Sequence, residues 1–317
     1  MQVHTDINNL PEFKNAAITI GTFDGVHNGH RLIINQLKNE AQKNNGESVL
    51  ITFDPHPRMV ITPAADKPIK DLELLNTLEE KISLLASEEI DHLVVVPFTE
   101  FFANLTAEEY IKDFLVDKFS PHTIIIGFDH HFGKGRSGNY KLLEQFSGEG
   151  KYSVKEIPQY ILEDVAISST RIRESLTSGK VRLANKLLGY DYYFSGLVVE
   201  GDKIGRTLGY PTANIQINDP HKLVPANGIY IVHVQVNGKM LNGMLSIGVR
   251  PTFGINKRSI EVNILDFEQD IYGTIISIFL KEYIRPELKF NGIENLVTKM
   301  REDEEISRQY FQKIQEE

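Results

Sequence analysis

The chain has 317 residues, a formal net charge of −9, an apolar content of 41% and no cysteine. That length fits about two domains, and the missing Cys excludes disulfides, thiolate zinc sites and a cysteine nucleophile while fitting a reducing cytoplasm. No apolar run reaches the ~18 residues of a membrane span, the polar start Met1–Leu10 lacks a secretory pattern, and the acidic balance without a dense Lys/Arg block argues against nucleic acid.

The first half alternates strand and helix signals. Ala17–Ile20 predicts an apolar strand ending at Gly21, and Leu32, Ile33, Leu37 and Ala41 space a helix over Arg31–Lys43. Ser48–Phe53 predicts the next strand, stopped by Asp54-Pro55-His56-Pro57. A helix over Leu72–Ser87, a strand over Leu93–Val96, a helix over Glu108–Phe119 and a strand over Thr123–Gly127 continue the alternation. Apolar strands separated by helices predict an α/β domain with a parallel sheet, with ligands at the carboxyl ends of its strands.

The period changes after about Gly189. Short strands are predicted over Leu197–Val199, Gly228–Val236, Lys239–Ile247, Ser259–Leu265 and Thr274–Leu280, with a hairpin turn at Asn237-Gly238. This reads as an all-β unit, a small antiparallel β-barrel. A terminal helix follows, its apolar stripe made of Ile293, Leu296, Val297 and Met300 and resuming at Tyr310, Phe311 and Ile314. The boundary is expected near residues 184–194.

Residues 21–30, Gly-Thr-Phe-Asp-Gly-Val-His-Asn-Gly-His, follow a strand and open a helix. Gly21, Gly25 and Gly29 allow sharp turning and close backbone approach. A helix N-terminus suits a phosphate, and His27 and His30, three apart, can point the same way. A plain connection with incidental histidines, or an i, i+3 zinc pair, are the alternatives; zinc needs a third protein ligand that the sequence does not supply. Residues 167–173, Ile-Ser-Ser-Thr-Arg-Ile-Arg, are a second helix start. An N-cap needs only one hydroxyl, whereas Ser168, Ser169 and Thr170 precede Arg173, whose charge opposes the helix dipole unless an anion binds there.

In the β half, Gly201, Gly205 and Gly209 precede Pro211, Thr212 and Asn214. Two hard oxygen ligands two residues apart suit Mg²⁺ with substrate phosphates, while a capped turn explains the segment equally well. Residues 133–138 match G-x-G-x-x-G, which taken alone points to a dinucleotide-binding oxidoreductase; the preceding strand ends too early for that fingerprint. No G-x-x-x-x-G-K-[ST] phosphate loop occurs.

The His-Asn-Gly-His and Ser-Ser-Thr-Arg-Ile-Arg segments resemble the two signatures of the nucleotidylyltransferase superfamily. In order and separation they are similar to those of the bacterial bifunctional riboflavin kinase/FMN adenylyltransferases, or FAD synthetases. The resemblance implies a Rossmann-like adenylyltransferase domain over residues 1–187 and a riboflavin kinase barrel over 188–317. In the first, Gly21, Thr22, Phe23, Asp24 and Gly29 would hold the ATP α-phosphate, and His27 and His30 would stabilise the transition state. Ser168, Ser169, Thr170 and Arg173 would hold the β- and γ-phosphates; Arg171 falls at a variable position. Asp129 matches the acid of the flavin-proximal loop, where His130-His131 departs from the usual aromatic-containing pattern.

Gly-Tyr-Pro-Thr-Ala-Asn resembles the riboflavin kinase signature. It implies Mg-ATP on Gly201, Lys203, Gly205, Arg206, Gly209 and Pro211, with the metal on Thr212 and Asn214. Glu261 falls at the catalytic glutamate, and Arg285 in the region that covers the flavin. Ser246 and Asn263 stand where the family usually has Asn and His. The implied chemistry takes riboflavin to FMN and FMN to FAD, with small-molecule flavins and ATP as partners and neither nucleic acid nor membrane involved. Two other readings remain: an FAD synthetase with a weak kinase half, and a flavin-binding regulator without turnover, against which the intact phosphate-transfer residues argue.

Overall fold

The computed structural model describes residues 1–61, 72–128, 130–157, 167–201, 205, 208–252 and 255–316. Packing divides the chain into two units, Met1–Ser169 and Thr170–Glu317.

The first unit is built on a six-stranded sheet in the order β1-β4-β3-β2-β5-β6, every neighbouring pair parallel. Its strands are β1 (Gln2–His4), β2 (Ala17–Ile20), β3 (Ser48–Asp54), β4 (His92–Pro97), β5 (Thr123–Gly127) and β6 (Ser153–Ile157). Alternate residues feed two cores, as period-two side chains require. Ile18, Ile20, Val49, Ile51, Val94, Val96, Ile124 and Ile126 pack with Phe102, Tyr110, Phe114 and Phe119. On the other face Ala17, Leu50, Leu93, Val95 and Ile125 meet Ile34 and Leu37 of helix α1 (Asn28–Lys43) and Leu85 of α2 (Leu78–Ala86). Chain order runs β2, β3, β4 to one side and returns to β5 on the other. The carboxyl end of β2 is therefore the switch point, where ligands of such sheets bind.

Three helices differ from the sequence reading. Helix α1 begins at Asn28, not Arg31, because His27 caps it: His27 Nδ1 accepts from His30 N at 3.2 Å. The helix expected over Leu72–Ser87 starts only at Leu78, since Thr77 and Glu80 form a capping box and Leu75 N is taken by the Asp24 carboxylate at 2.9 Å. The run to Phe119 opens one residue early at Ala107 and passes through a wide π turn at Tyr110–Val116. Edge strands β1 and β6 escaped the reading; neither is a continuous apolar run.

The second unit is a closed antiparallel barrel in the order β10-β11-β8-β7-β12-β9. Its strands are β7 (Tyr193–Val199), β8 (Ala213–Gln216), β9 (Gly228–Val236), β10 (Lys239–Thr252), β11 (Ile255–Ile264) and β12 (Ile275–Arg285). Helix α4 (Ser169–Thr177) starts at the division between units, after α3 (Tyr140–Gly150) in the first; α5 (Val181–Leu188), stopped by Gly189 at φ +81°, packs with the barrel unit. So packing separates the units upstream of the place where the sequence period changes.

Terminal helix α6 (Ile293–Glu316) is a partial correction. Met300, Tyr310 and Phe311 do pack with Tyr210, Ile231 and Met244, but Ile293 and Ile314 are exposed. The inward face runs instead through Asp303, Ser307 and Phe311, four residues apart and all buried. Asp303 is tolerated inside because Arg285 grips it, Nε to Oδ1 at 2.9 Å and Nη2 to Oδ2 at 2.6 Å.

Candidate active sites

The β2–α1 connection is tight. Phe23 and Val26 hold left-handed φ values of 46° and 35°, and Gly25 holds 91°. For Phe and Val such backbone costs of order 1–3 kcal/mol each and tends to persist at functional sites. The surroundings hold it in place: Gly21 N donates to Ile51 O at 3.0 Å, Thr52 Oγ1 donates to Thr22 O at 3.1 Å, and Phe23 packs its ring over Gly21. Asp24 is buried; its carboxylate accepts from Leu75 N, and its carbonyl accepts from Ser169 Oγ at 2.8 Å. The two distant motifs therefore touch, through Asp24 and Ser169.

The imidazoles of His27 and His30 stack, with centroids 3.6 Å apart and planes at 10°. A Cβ on Gly29 would stand 3.2 Å from the His27 ring, so Gly29 makes room for it. With Nδ1 of His27 accepting from the backbone, its neutral form carries the proton on Nε2. His30 Nδ1 is buried without a hydrogen-bond partner among the described residues. Burial first, then the nearby charges of His27 and Lys81, holds the His30 imidazole well below the ordinary histidine value, so at neutral pH it is an uncharged N–H donor.

Lys81 was not found from the sequence. It is buried on α2, its amine pulled below the usual lysine range by burial while Asp24 and Asp54 favour its charge. A signal existed: Lys81 sits three residues after Leu78 and four before Leu85, on the apolar face of the helix. Ser168 and Thr170 are exposed, and Arg171 and Arg173 lie in the opening turns of α4. Asp129 lies outside the described residues. The G-x-G-x-x-G segment opens no helix. Lys134–Arg136 is one tight turn closed by a Phe132–Gly138 bridge, and the next helix starts at Tyr140 under an Asn139 cap. The dinucleotide fingerprint is therefore absent there.

In the barrel, β8 places Asn214 directly opposite Glu261 of β11. Thr212 Oγ1 donates to Glu261 Oε2 at 3.3 Å. Gly205 is pressed against the Tyr210 carbonyl, 2.3 Å from where its Cβ would stand, and accepts from Tyr210 N at 2.8 Å. Gly209 turns at φ +83°. Lys203 and Arg206 lie outside the described residues. A cavity of about 400 Å³ opens beside this strip, lined by Pro211, Thr212, Ala213, Val262, Phe267 and Tyr272; that is room for part of a nucleotide. Arg285, besides gripping Asp303, donates from Nη1 to Pro286 O at 3.0 Å.

Gly201 is where Asn214 packs: an added Cβ would stand 2.1 Å from Asn214 Nδ2 and 2.8 Å from Oδ1. Gly201→Ala must therefore push the carboxamide aside. Misplacement on this scale costs about ten- to hundredfold in rate; on the kinase role that the resemblance implies for this unit, riboflavin phosphorylation by Gly201→Ala is expected to fall by that factor while FMN adenylylation holds. Initial rates of both reactions on the same preparation check this.

Comparison with known proteins bears on both units. The FAD synthetase family matches residues 10–171 and the riboflavin kinase family matches residues 188–311. A bifunctional riboflavin kinase/FMN adenylyltransferase of Listeria monocytogenes is 39% identical, covering 95% of this chain and 94% of its own. One of Bacillus subtilis is 38% identical over 96% and 95%. A crystal structure from Streptococcus pneumoniae, described as a macrolide-efflux protein, superposes with a TM-score of 0.86 at 31% identity, covering 97% of this chain and 98% of that one. Among the described residues of this chain, no helix is long and apolar enough to cross a membrane. Two matched units in sequence, with relatives aligned almost end to end, leave one conclusion: the chain belongs to the family of bifunctional riboflavin kinase/FMN adenylyltransferases.

Proposed function

We propose that the chain makes FAD from riboflavin in two ATP-dependent steps, with phosphorylation to FMN in the barrel unit and adenylylation of FMN in the α/β unit. It is a transferase of flavin cofactor synthesis, as its family membership supports. The observation that carries the residue assignments is the convergence of Thr212, Asn214 and Glu261 across the β8–β11 pair.

In the adenylylation step the FMN phosphate attacks the α-phosphorus of ATP; the new P–O bond forms as pyrophosphate leaves. The nucleophile is already an anion, so this site needs alignment and donors rather than a base. Gly21, Thr22, Phe23 and Gly29 would shape the cradle, which Asp24 holds to residue Leu75 and to Ser169. The N–H groups of His27 and His30 would meet the α-phosphate. Ser168, Ser169, Thr170 and Arg173 would take the departing pyrophosphate, and Asp129 would lie near the flavin.

In the kinase step the ribityl hydroxyl of riboflavin attacks the γ-phosphorus, ADP leaves, and Glu261 takes the hydroxyl proton. Thr212 and Asn214 fit Mg²⁺: both offer hard oxygens, and Gly201 holds the Asn214 carboxamide in place. When bound, the ion would neutralise phosphate charge. Gly201, Lys203, Gly205, Arg206, Gly209 and Pro211 would line the ATP phosphates. Arg285 would reach the flavin with the Nη1 and Nη2 hydrogens that Pro286 and Asp303 leave over. The cysteine-free chain fits a reducing cytoplasm.

The test is incubation with riboflavin and Mg-ATP followed by chromatographic separation of riboflavin, FMN and FAD. Both products should accumulate in order; riboflavin left unchanged while supplied FMN is adenylylated would leave the kinase half inactive. The division of labour is tested by residues 1–187 alone. This fragment keeps residues 170–187 without the barrel unit they belong to, so it should fold with reduced stability, adenylylate FMN and leave riboflavin untouched. A folded fragment without adenylyltransferase activity would place part of the first site beyond residue 187.

A further inference from the structure

The β8–β11 ladder stops at the Ala213–Val262 pair. Continued in the same register, Thr212 would face Asn263 and Pro211 would face Ile264. Pro211 has no N–H for such a ladder, and a proline ends a central strand pairing. The Asn263 side chain bridges the gap instead: buried on β11, it donates from Nδ2 to the Pro211 carbonyl at 2.8 Å. Asn263 is two residues beyond Glu261, on the same side of the strand. Its carboxamide thus ties the peptide group just before Thr212 to the strand that carries Glu261, and Thr212 Oγ1 reaches Glu261 Oε2 at 3.3 Å.

We propose that Asn263 is a positioning residue of the phosphoryl-transfer site, whose side-chain N–H fixes the Thr212 hydroxyl for Mg-ATP by holding the Pro211 carbonyl. This rests on the reading that Thr212 and Asn214 hold the metal. An ordinary buried asparagine would need partners too, but any carbonyl would serve. Here the partner is the one group that replaces a missing ladder bond immediately before a metal ligand.

Asn263→Leu keeps the branched shape, at a somewhat larger volume, and removes the donor without adding charge. Asn263→His keeps a ring N–H donor. Thr212→Val removes the hydroxyl that the bond is proposed to place. The full-length variants are compared by calorimetric titration with Mg-ADP, by kcat and KM for Mg-ATP in riboflavin phosphorylation, and by FMN adenylylation as an internal control. With the Thr212 hydroxyl no longer held for the metal, Mg-ADP binding should weaken by about tenfold in Asn263→Leu, the scale of one hydrogen bond, with the KM for Mg-ATP rising in step. Thr212→Val should weaken it likewise, Asn263→His should recover most of the affinity, and adenylylation should be unmoved. Parent affinity in a folded Asn263→Leu overturns the proposal. Weak binding in Asn263→Leu beside parent affinity in Thr212→Val breaks the link through Thr212 and overturns both this inference and the metal assignment. If Asn263→Leu unfolds the barrel, the same contrast between Asn263→Ala and Asn263→His decides.

Discussion

His30→Ala should lower FAD formation from FMN by about 10²–10³-fold, the range for removing one preorganised donor from a developing oxyanion. Riboflavin phosphorylation by the same protein should be unchanged. His30 is a cleaner choice than His27, whose Nδ1 also caps α1, so that removing it costs a helix cap as well as a donor. The His30 ring is held by its stack on His27 and by Phe23 at 5.0 Å. Its Nδ1 is buried with no partner among the described residues, an arrangement that costs stability unless a ligand completes it. Its depressed basicity gives the experiment a second readout. Protonation of a group whose folded value lies below the ordinary one sets in only as pH falls past the usual histidine range. The parent rate should therefore stay level down through about pH 6.5, the unperturbed value. Rates of FAD formation across that range decide the matter. A parent rate that tracks an ordinary histidine titration would mean that the ring acts as an imidazolium. Equal loss of both activities in a folded His30→Ala would refute the separation of the two sites.

Much of this arrangement is legible in the chain because local rules and global packing agree. Ala17–Ile20 is buried throughout and Val49–Ile51 is apolar without a break, which only a sheet covered on both faces accommodates, and the glycine-rich turn after β2 lies at the switch point. Legibility fails where polar groups are buried. Asp303 and Ser307 form the inward face of α6, yet in a pattern of apolar residues they read as surface. Lys81 interrupts the apolar face of α2 and reads as surface for the same reason. Strand β8 is four residues with one buried side chain, Ile215. It becomes a strand by pairing with β7 and β11, a tertiary effect that no local window contains. The contact between Asp24 and Ser169 joins residues 145 apart; no spacing rule shows it, and only the paired motifs indicated that the two segments belong together.

Glu261→Gln should lower the turnover of FMN formation by at least about a hundredfold, the lower end for general-base catalysis. The need for a base comes from the nucleophile. The ribityl hydroxyl is neutral and holds its proton tightly, whereas the FMN phosphate of the other reaction has none to lose. A carboxylate therefore belongs in the barrel site and not in the α/β site. Glu261 meets the geometric requirement: Ile260, Val262 and Ile264 are buried, while Glu261 lies opposite Asn214 with the Thr212 hydroxyl at 3.3 Å. Its alternative is an ordinary strand carboxylate paired with a neighbouring cation. Of the two neighbouring cations, Arg258 gives hydrogen bonds to the Val224 and Pro225 carbonyls and to Asn227 Oδ1, and the Lys257 side chain lies outside the described residues. Glutamine keeps a carbonyl oxygen to accept from Thr212 and changes the volume little, so Mg-ADP affinity and adenylylation of supplied FMN should stay near parent values. Turnover alone should collapse, because the amide cannot take the proton. A Gln variant that phosphorylates riboflavin at close to the parent rate would remove Glu261 from the chemistry. It would leave the carboxylate as a hydrogen-bond acceptor for Thr212, and the proton of the ribityl hydroxyl would then have to leave directly to water or to the transferred phosphoryl group.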